Sequence, residues 1–403
     1  MSSKHILTVW QKEMLDTIRD RRTLLAMVIV PLLLMPAITV GFPVLMERQE
    51  EAARRLVSGI AVIGGTNSSI LIGELKDSKG IRLIEYADLK IALQAMKENH
   101  VQLVVEIPEG FDRDMASGLR PKVNVYYEGT RRTSDIARGR FMDAFSRFSQ
   151  KVVAKRLVGM HVDPAILVPA EVISENIASE EKMGGLLLSM MLPVLMAIWA
   201  SIGGMYTAID VAAGEKERGT LESLIITPPS RESIVLGKFL AVLTISGVTM
   251  LLVVSSIVLA LRLVNPASLL GQNEARFVLP IGRAAVMFLI GLLLAGLLGA
   301  IEITLSIFAK SFKEAQNYIT PLYIAVMIPG FLTQITSAAG ATAGPFYFAI
   351  PVANAIEIFR ELLMGSVNWI HIGVAAISSF VYALLALNIA IRIFCREDVI
   401  FRS

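Results

Sequence analysis

A series of long, apolar and nearly uncharged stretches constrains this 403-residue chain more than any other feature. A helix that crosses a membrane needs about 20 apolar residues, because the hydrocarbon core is about 30 Å thick and a helix rises about 1.5 Å per residue. We therefore predict six transmembrane helices, over residues 23–46, 183–209, 236–261, 284–309, 318–337 and 365–392. A Gly- and Pro-rich turn followed by residues 345–361 predicts a half-inserted outer segment between the last two.

Composition agrees with a membrane protein and argues against several other classes. Hydrophobic residues make up 54% of the chain and charged residues 18%, whereas soluble domains average about 25% charged residues. The net charge of +3 provides no broad basic surface, so nucleic acid is not an expected partner. One cysteine, Cys395, and four scattered histidines provide neither an internal disulfide nor a structural metal cluster.

The positions of Lys and Arg predict how the chain is oriented. If the N-terminus is inside, fourteen Lys and Arg residues flank the inner ends of the predicted crossings and four flank the outer ends. Cytoplasmic flanks carry the excess of these residues, so we predict that both termini are cytoplasmic. The predicted cytoplasmic segments are an interfacial helix over residues 1–22, a loop over 210–235 (the coupling loop) and a tail over 393–403.

Residues 47–182, between the first two predicted crossings, have the pattern of a soluble α/β domain. Asp88 is placed to cap a helix between two predicted strands. Strands that alternate with helices predict crossover connections and a largely parallel sheet. The predicted fold class is therefore an α-helical polytopic membrane protein with an inserted extracytoplasmic α/β domain between helices 1 and 2. Short apolar or alternating runs predict the strands, at residues 59–65, 81–86, 101–107 and 123–127.

Two cytoplasmic segments are amphipathic. In residues 1–22, an apolar stripe at helical spacing predicts a helix lying along the membrane surface, formed by Leu7, Trp10, Met14 and Ile18. In the coupling loop, a charged turn leads into a short helix with Leu221 and Leu224 on one side, and Pro228 and Pro229 end it. Such a helix could insert its apolar face into a groove of a partner protein. The same pattern fits equally well a tight turn with a solvated run of charged residues.

These segments resemble the ABC type-2 permeases. Residues 215–224, followed by Pro229–Arg231 and Gly237-Lys238, resemble that family's signature loop. Ile107–Phe111 resembles its extracytoplasmic motif, and Lys12-Glu13 with Arg19–Arg22 resembles its N-terminal helix. Within the family, residues 309–316 and the overall layout are most similar to the NatB-type sodium-export permeases.

The resemblance implies a permease that moves Na+ outward and is powered by a separate, NatA-like ABC ATPase that binds ATP and Mg2+. It implies a permease homodimer or pair in the plasma membrane of a bacterium or archaeon. The chain has no Walker A motif, so it is not expected to be an enzyme on its own or to hold a cofactor. We expect Leu221 and Leu224 to make the docking contact, within a set of predicted coupling residues formed by Glu215, Glu217, Arg218, Gly219, Thr220, Leu221, Glu222 and Leu224.

One carboxylate, Glu302, lies inside a predicted crossing, where ionisable side chains are costly. It shares a narrow helix face of small residues with Ser306, which predicts that this face is turned into the bundle. Carboxylate and hydroxyl oxygens suit a hard cation, so Glu302 and Ser306 form a candidate cation site. The alternative is that Glu302 has a structural role and forms a hydrogen bond with a neighbouring helix.

Glu357, Arg360 and Glu361 lie together on one side of a predicted helix after the half-inserted segment. An exposed salt-bridge cluster at the outer rim is the main interpretation of this group, and an outer gate is the alternative.

Other functions remain open alternatives. An ABC type-2 exporter of a drug, peptide or lipid would share all these features. A membrane-tethered sensor would need a cytoplasmic output domain, and the predicted cytoplasmic segments are short. An intramembrane hydrolase would need a motif such as His-Glu-x-x-His or Gly-x-Ser-x-Gly, and the sequence has neither.

Overall fold

The computed structural model describes residues 2–55, 57–163, 180–263, 279–338 and 344–396. The chain divides into two compact units, one formed by Met1–Leu45 with Ile177–Ser403 and the other by Met46–Asn176. The predicted tail over 393–403 lies mostly outside the described residues.

Two helices begin the chain, α1 over Ser3–Arg19 and α2 over Arg21–Arg55. The predicted crossing over residues 23–46 lies in α2. Helix α2 includes the apolar stretch Met27–Phe42 within that predicted crossing. The sixth membrane crossing stays a prediction.

The unit Met46–Asn176 contains a four-stranded sheet with helices between the strands. The elements follow each other as β1 (Ser58–Ile63), α3 (Ser69–Asp77), β2 (Ile81–Glu85), α4 (Leu89–Lys97), β3 (Leu103–Glu106), α5 (Phe111–Ala116), β4 (Asn124–Tyr126) and α6 (Arg132–Gly159). The strand order is β2-β1-β3-β4, and β1 is parallel to both of its neighbours whereas β4 is antiparallel to β3. Asp88 caps α4 as predicted, accepting a hydrogen bond from the Lys90 N–H at 3.0 Å.

The remaining described residues form a helical bundle. Its elements are α7 (Glu180–Ile209), a π turn (Asp210–Gly214), α8 (Glu215–Glu217), α9 (Thr220–Ile225), α10 (Arg231–Leu263), α11 (Ile281–Phe308), α12 (Phe312–Ala338), a 3-10 turn (Pro345–Ala349), α13 (Ala353–Leu363) and α14 (Trp369–Phe394).

Five helical segments within the described residues are long and apolar enough to cross a membrane, and the protein is accordingly a multi-pass helical membrane protein. The five segments are Leu188–Glu217, Arg231–Leu263, Ile281–Phe308, Phe312–Thr336 and Trp369–Phe394. Each contains most of one predicted crossing, and three begin earlier than predicted, at Arg231, Ile281 and Phe312. A serine caps the first and the third of these three. Ser230 Oγ accepts from the Ser233 N–H and Ser311 Oγ accepts from the Glu314 N–H, both at 3.3 Å.

Close approach between helices in the bundle depends on glycine. A Cβ added at Gly204 of α7 would lie 2.3 Å from the Ser246 hydroxyl of α10, so only glycine lets these helices pack at this distance. Helices α7 and α11 run in the same direction. Their beginnings share one apolar cluster, which includes Leu192 and Leu294, and their ends share another, which includes Ala208 and Ile307.

Candidate functional site

The coupling loop forms an ordered cap at the end of α7, where the π turn and α8 continue the helix as far as Glu217. Gly219 has φ of +70°, a conformation that favours glycine, and it turns the chain into α9. The predicted coupling residues divide by exposure. Glu215 and Leu221 are buried and Leu224 is half-buried, and the exposed members are Glu217, Arg218, Gly219, Thr220 and Glu222.

Leu221, which we expected to make the docking contact together with Leu224, is not at the surface of the loop. Leu221 is 6% exposed and packs against its own chain, in an apolar cluster with Val211 and Ile234. Leu224 lies at the edge of the same cluster. An amphipathic pattern predicts that one helix face is covered, but it does not identify what covers it.

The large apolar side chain that this loop exposes is Ile226, immediately after α9. It is 86% exposed, and Glu222, Ser223, Thr227 and Pro228 around it are exposed as well.

Two polar contacts fix the loop. The Glu217 carboxylate accepts a hydrogen bond at 2.7 Å from the Phe312 N–H at the beginning of α12. Arg218 pairs at 2.7 Å with Asp210 in the π turn, and the hydrogen bond to Asp210 raises the pKa of the Arg218 guanidinium. The loop is therefore connected to α12 as well as to α7.

Glu215 is turned inward, into a buried ion cluster. The Lys238 ammonium of α10 lies 2.7 Å from Glu13 Oε1 and 2.6 Å from Glu215 Oε2, and it donates to the Val211 carbonyl at 2.5 Å. Glu13 is 3% exposed, and Glu215 and Lys238 are each 2% exposed. The sequence did not predict this cluster, because Glu13 and Lys238 are 225 positions apart.

Lys12 completes the cluster at its solvent edge. It lies 3.2 Å from Glu13 and also contacts Glu215. Burial lowers the pKa of Lys12, but the carboxylates of Glu13 and Glu215 outweigh that effect, and the pKa of Lys12 is raised overall. Lys12 therefore stays charged, and the cluster contains two positive and two negative side chains.

Helix α1 packs on α10 with a different face from the predicted stripe. Val9 and Glu13 are its buried residues, whereas Leu7 and Ile18 of the stripe are 51% and 54% exposed. Gly237 permits this contact, since a Cβ there would lie 2.6 Å from Val9 Cβ. The periodicity of the apolar residues did not reveal the packing face because that face carries a charge.

Glu302 is fully buried, and the prediction that its helix face is turned into the bundle is confirmed. The Ser201 hydroxyl of α7 donates to Glu302 Oε1 at 2.9 Å. The other carboxylate oxygen, Oε2, and the Ser306 hydroxyl have no hydrogen-bond partner among the residues that the structure describes. Buried oxygens without hydrogen-bond partners are unusual. They suit a ligand that is bound by several oxygen atoms at once.

A third buried oxygen without a partner in the described ranges, Thr207 Oγ1, lies on α7. Ser306 follows Glu302 by four residues and Thr207 follows Ser201 by six, which correspond to rises of about 6 Å and about 9 Å. Because α7 and α11 run in the same direction, Ser306 and Thr207 both lie between Glu302 and the coupling-loop end of the bundle.

The described residues include no group of three or more His, Cys, Asp or Glu side chains that could hold a metal ion. A cation at Glu302 would therefore depend on hydroxyl and carbonyl oxygens in addition to one carboxylate.

In the predicted group, Glu357 is buried, and Arg360 and Glu361 are half-buried. Arg360 pairs with Glu357 at 3.0 Å, as a salt-bridge cluster requires, but Glu357 is only 5% exposed. Glu361 contacts His371 Nδ1 of α14 at 2.7 Å, and the His371 ring stacks on Phe348. The contact between Glu361 and His371 joins α13 to α14.

Comparison with known proteins places the chain among transporters. A family model described as "ABC-2 family transporter protein" matches residues 21–392. A protein of Bacillus subtilis (strain 168) named "ABC transporter permease protein NatB" is 28% identical over 364 residues, which cover 89% of this chain and 90% of that protein.

Proposed function

The chain belongs to the ABC-2 family of transporter proteins, whose permeases work with an ATP-binding subunit, and from that premise we propose that it is the membrane subunit of an ATP-driven exporter. In this proposal the protein crosses a bacterial or archaeal cell membrane six times with both termini in the cytoplasm, and residues 47–182 lie outside. A separate NatA-like ATPase binds ATP and Mg2+, and a second permease, identical or related, completes the complex.

The observation that carries the proposal is the construction of the coupling loop. Its inner side chains, Glu215 and Leu221, are held by the permease itself, so the loop keeps its shape without a partner. Its outer surface presents Ile226 with charged and polar neighbours, which suits insertion into an apolar groove of an ATPase. Docking thus involves Ile226 and Glu222 rather than Leu221.

We expect Ile226→Asp to reduce co-purification of a co-expressed ATPase subunit by about tenfold or more, because an ionised side chain replaces the apolar centre of the contact. The matched control is Ile281→Asp at the far end of the bundle, where the isoleucine is 71% exposed. Pull-down through a tag on the permease measures the effect. Equal ATPase recovery with Ile226→Asp and with wild type would remove the docking assignment.

For the transported substrate we propose Na+. The support is the set of buried oxygens at Glu302, Ser306 and Thr207, which lies within the bundle and extends towards the coupling-loop end. A dehydrated Na+ takes oxygen ligands, and a single carboxylate balances its charge. In the proposed orientation, Thr207 and Ser306 are nearer to the cytoplasm than Glu302, so they would meet a cation that enters from inside.

A hydrophobic drug or a lipid is the second candidate substrate, and one observation favours it. A cavity of about 370 Å³ between α11, α12 and α14 is lined by apolar side chains that include Leu298, Val326 and Leu385. Its volume and lining are typical of sites for small apolar ligands. Sodium and a hydrophobic substrate would thus be bound by different residues of the bundle.

We expect Ala386→Trp, which fills part of this cavity, to leave sodium efflux within about twofold of wild type, because the cavity is separate from the Glu302 oxygens. Sodium efflux and export of a lipophilic cationic dye from the same vesicles are the two measurements. Loss of dye export with unchanged sodium efflux would show a second substrate class, and loss of sodium efflux would contradict the separation of the two sites.

A further inference from the structure

Lys238 of α10 joins its own helix to two other segments, α1 and the coupling loop. Its ammonium group contacts Glu13 of α1, Glu215 of α8 and the Val211 carbonyl in the π turn. We propose that Lys238 is a positioning residue that ties α1 and the coupling loop into one unit, so that both move together when an ATPase displaces the loop. This inference rests on the proposed docking of an ATPase at the coupling loop.

The contacts of Lys238 with Glu13 and Glu215 are difficult to break because all three side chains are buried. Lys238 and its two carboxylate partners are at most 3% exposed. If α1 moved away from the loop, the buried ion pair of Glu13 with Lys238 and the contact of Lys12 with Glu215 would be lost together. The loop and α1 are therefore more stable when they move as one body than when they separate.

Packing next to the ion cluster strengthens the same connection. Val9 of α1 fits against Gly237, directly before Lys238 in the sequence. The Trp10 indole N–H donates to the Thr244 hydroxyl of α10 at 3.1 Å, so the contact with α10 continues beyond the ion cluster. The unit thus contains α1, the coupling loop and the beginning of α10.

The cluster also explains why α1 is useful to a permease. The coupling loop is short, and α9 is only six residues long. Seventeen residues of α1 fixed to it enlarge the rigid body on which an ATPase acts. The connection from Glu217 to the Phe312 N–H then links that body to α12.

The test measures distances between spin labels in the permease bound to its ATPase, in a Cys395→Ser background. One pair joins Leu15→Cys on α1 to Thr220→Cys on the loop, and both native side chains are exposed. The second pair joins Thr220→Cys to Leu385→Cys on α14, where the leucine is 56% exposed. Each pair is measured without nucleotide and with ATP in a hydrolysis-deficient ATPase.

We expect the 15–220 distance to form one narrow distribution that is the same in both nucleotide states, while the 220–385 distance changes. Lys238→Met should broaden the 15–220 distribution by about twofold or more. Lys4→Met, at an exposed lysine of α1, is the control and should leave it unchanged. If Lys238→Met yields no folded protein, Glu13→Gln loosens the same tie while keeping a side chain of equal size.

A 15–220 distance that changes with nucleotide in the wild-type complex would overturn the proposal, as would an unchanged distribution in a folded Lys238→Met or Glu13→Gln variant. Neither result would bear on the permease assignment. That assignment fails instead if the wild-type permease binds no ATPase at all.

Discussion

We expect Glu302→Gln to lower sodium efflux by about a hundredfold, because the amide keeps the shape of the side chain and removes the charge that balances a bound cation. At a separation of 4 Å and an effective dielectric constant of about 20, two unit charges attract by about 4 kcal/mol. Even half of that attraction corresponds to more than about a tenfold change in affinity, since about 1.4 kcal/mol is a factor of ten. Uptake of radioactive Na+ by inverted vesicles that contain the permease and its ATPase measures the effect.

The control is Glu232→Gln, at an exposed carboxylate in the first turn of α10. It should leave uptake unchanged, and both variants should retain the ATPase subunit. Unchanged sodium uptake with Glu302→Gln would assign Glu302 a structural role, with the Ser201 hydrogen bond as its function. The apolar cavity near Leu298 would then be the better candidate for the substrate site.

The second large effect concerns stability. Lys238→Met should lower the free energy of unfolding by about 3 kcal/mol, because it leaves Glu13 and Glu215 buried without their central counter-charge. The expected loss is near the lower end of about 3–5 kcal/mol for a broken buried pair, since Lys12 still contacts both carboxylates. Unfolding in mild detergent, followed by circular dichroism, provides the measurement.

A triple variant tests the physical reason. Combining Lys238→Met with Glu13→Gln and Glu215→Gln removes the uncompensated charges, so it should recover part of the stability that the single substitution loses. Lys4→Met serves again as the surface control. The explanation is wrong if the single and triple variants are equally unstable, or if Lys238→Met is no worse than Lys4→Met.

Much of the bundle was predictable because a membrane crossing is encoded locally. An apolar run of sufficient length specifies a helix wherever its neighbours lie, and the five crossings predicted after residue 182 all correspond to apolar helices. The strands between residues 58 and 126 and the Asp88 cap were predictable for the same reason, since alternation and capping depend on neighbouring residues. The face around Glu302 was predictable because small residues at helical spacing mark helix contacts.

Patterns in the linear chain were therefore enough to predict the family, most of the helices and the inward direction of Glu302. The packing of the helices was needed to identify the buried face of α1, the inward packing of Leu221 beside an exposed Ile226, and the contact of Glu361 with His371. It was also needed to bring Glu13, Glu215 and Lys238 together. Periodicity reveals a face that must be covered but not its partner, and ion pairs between residues more than 200 positions apart exist only after the helices have packed.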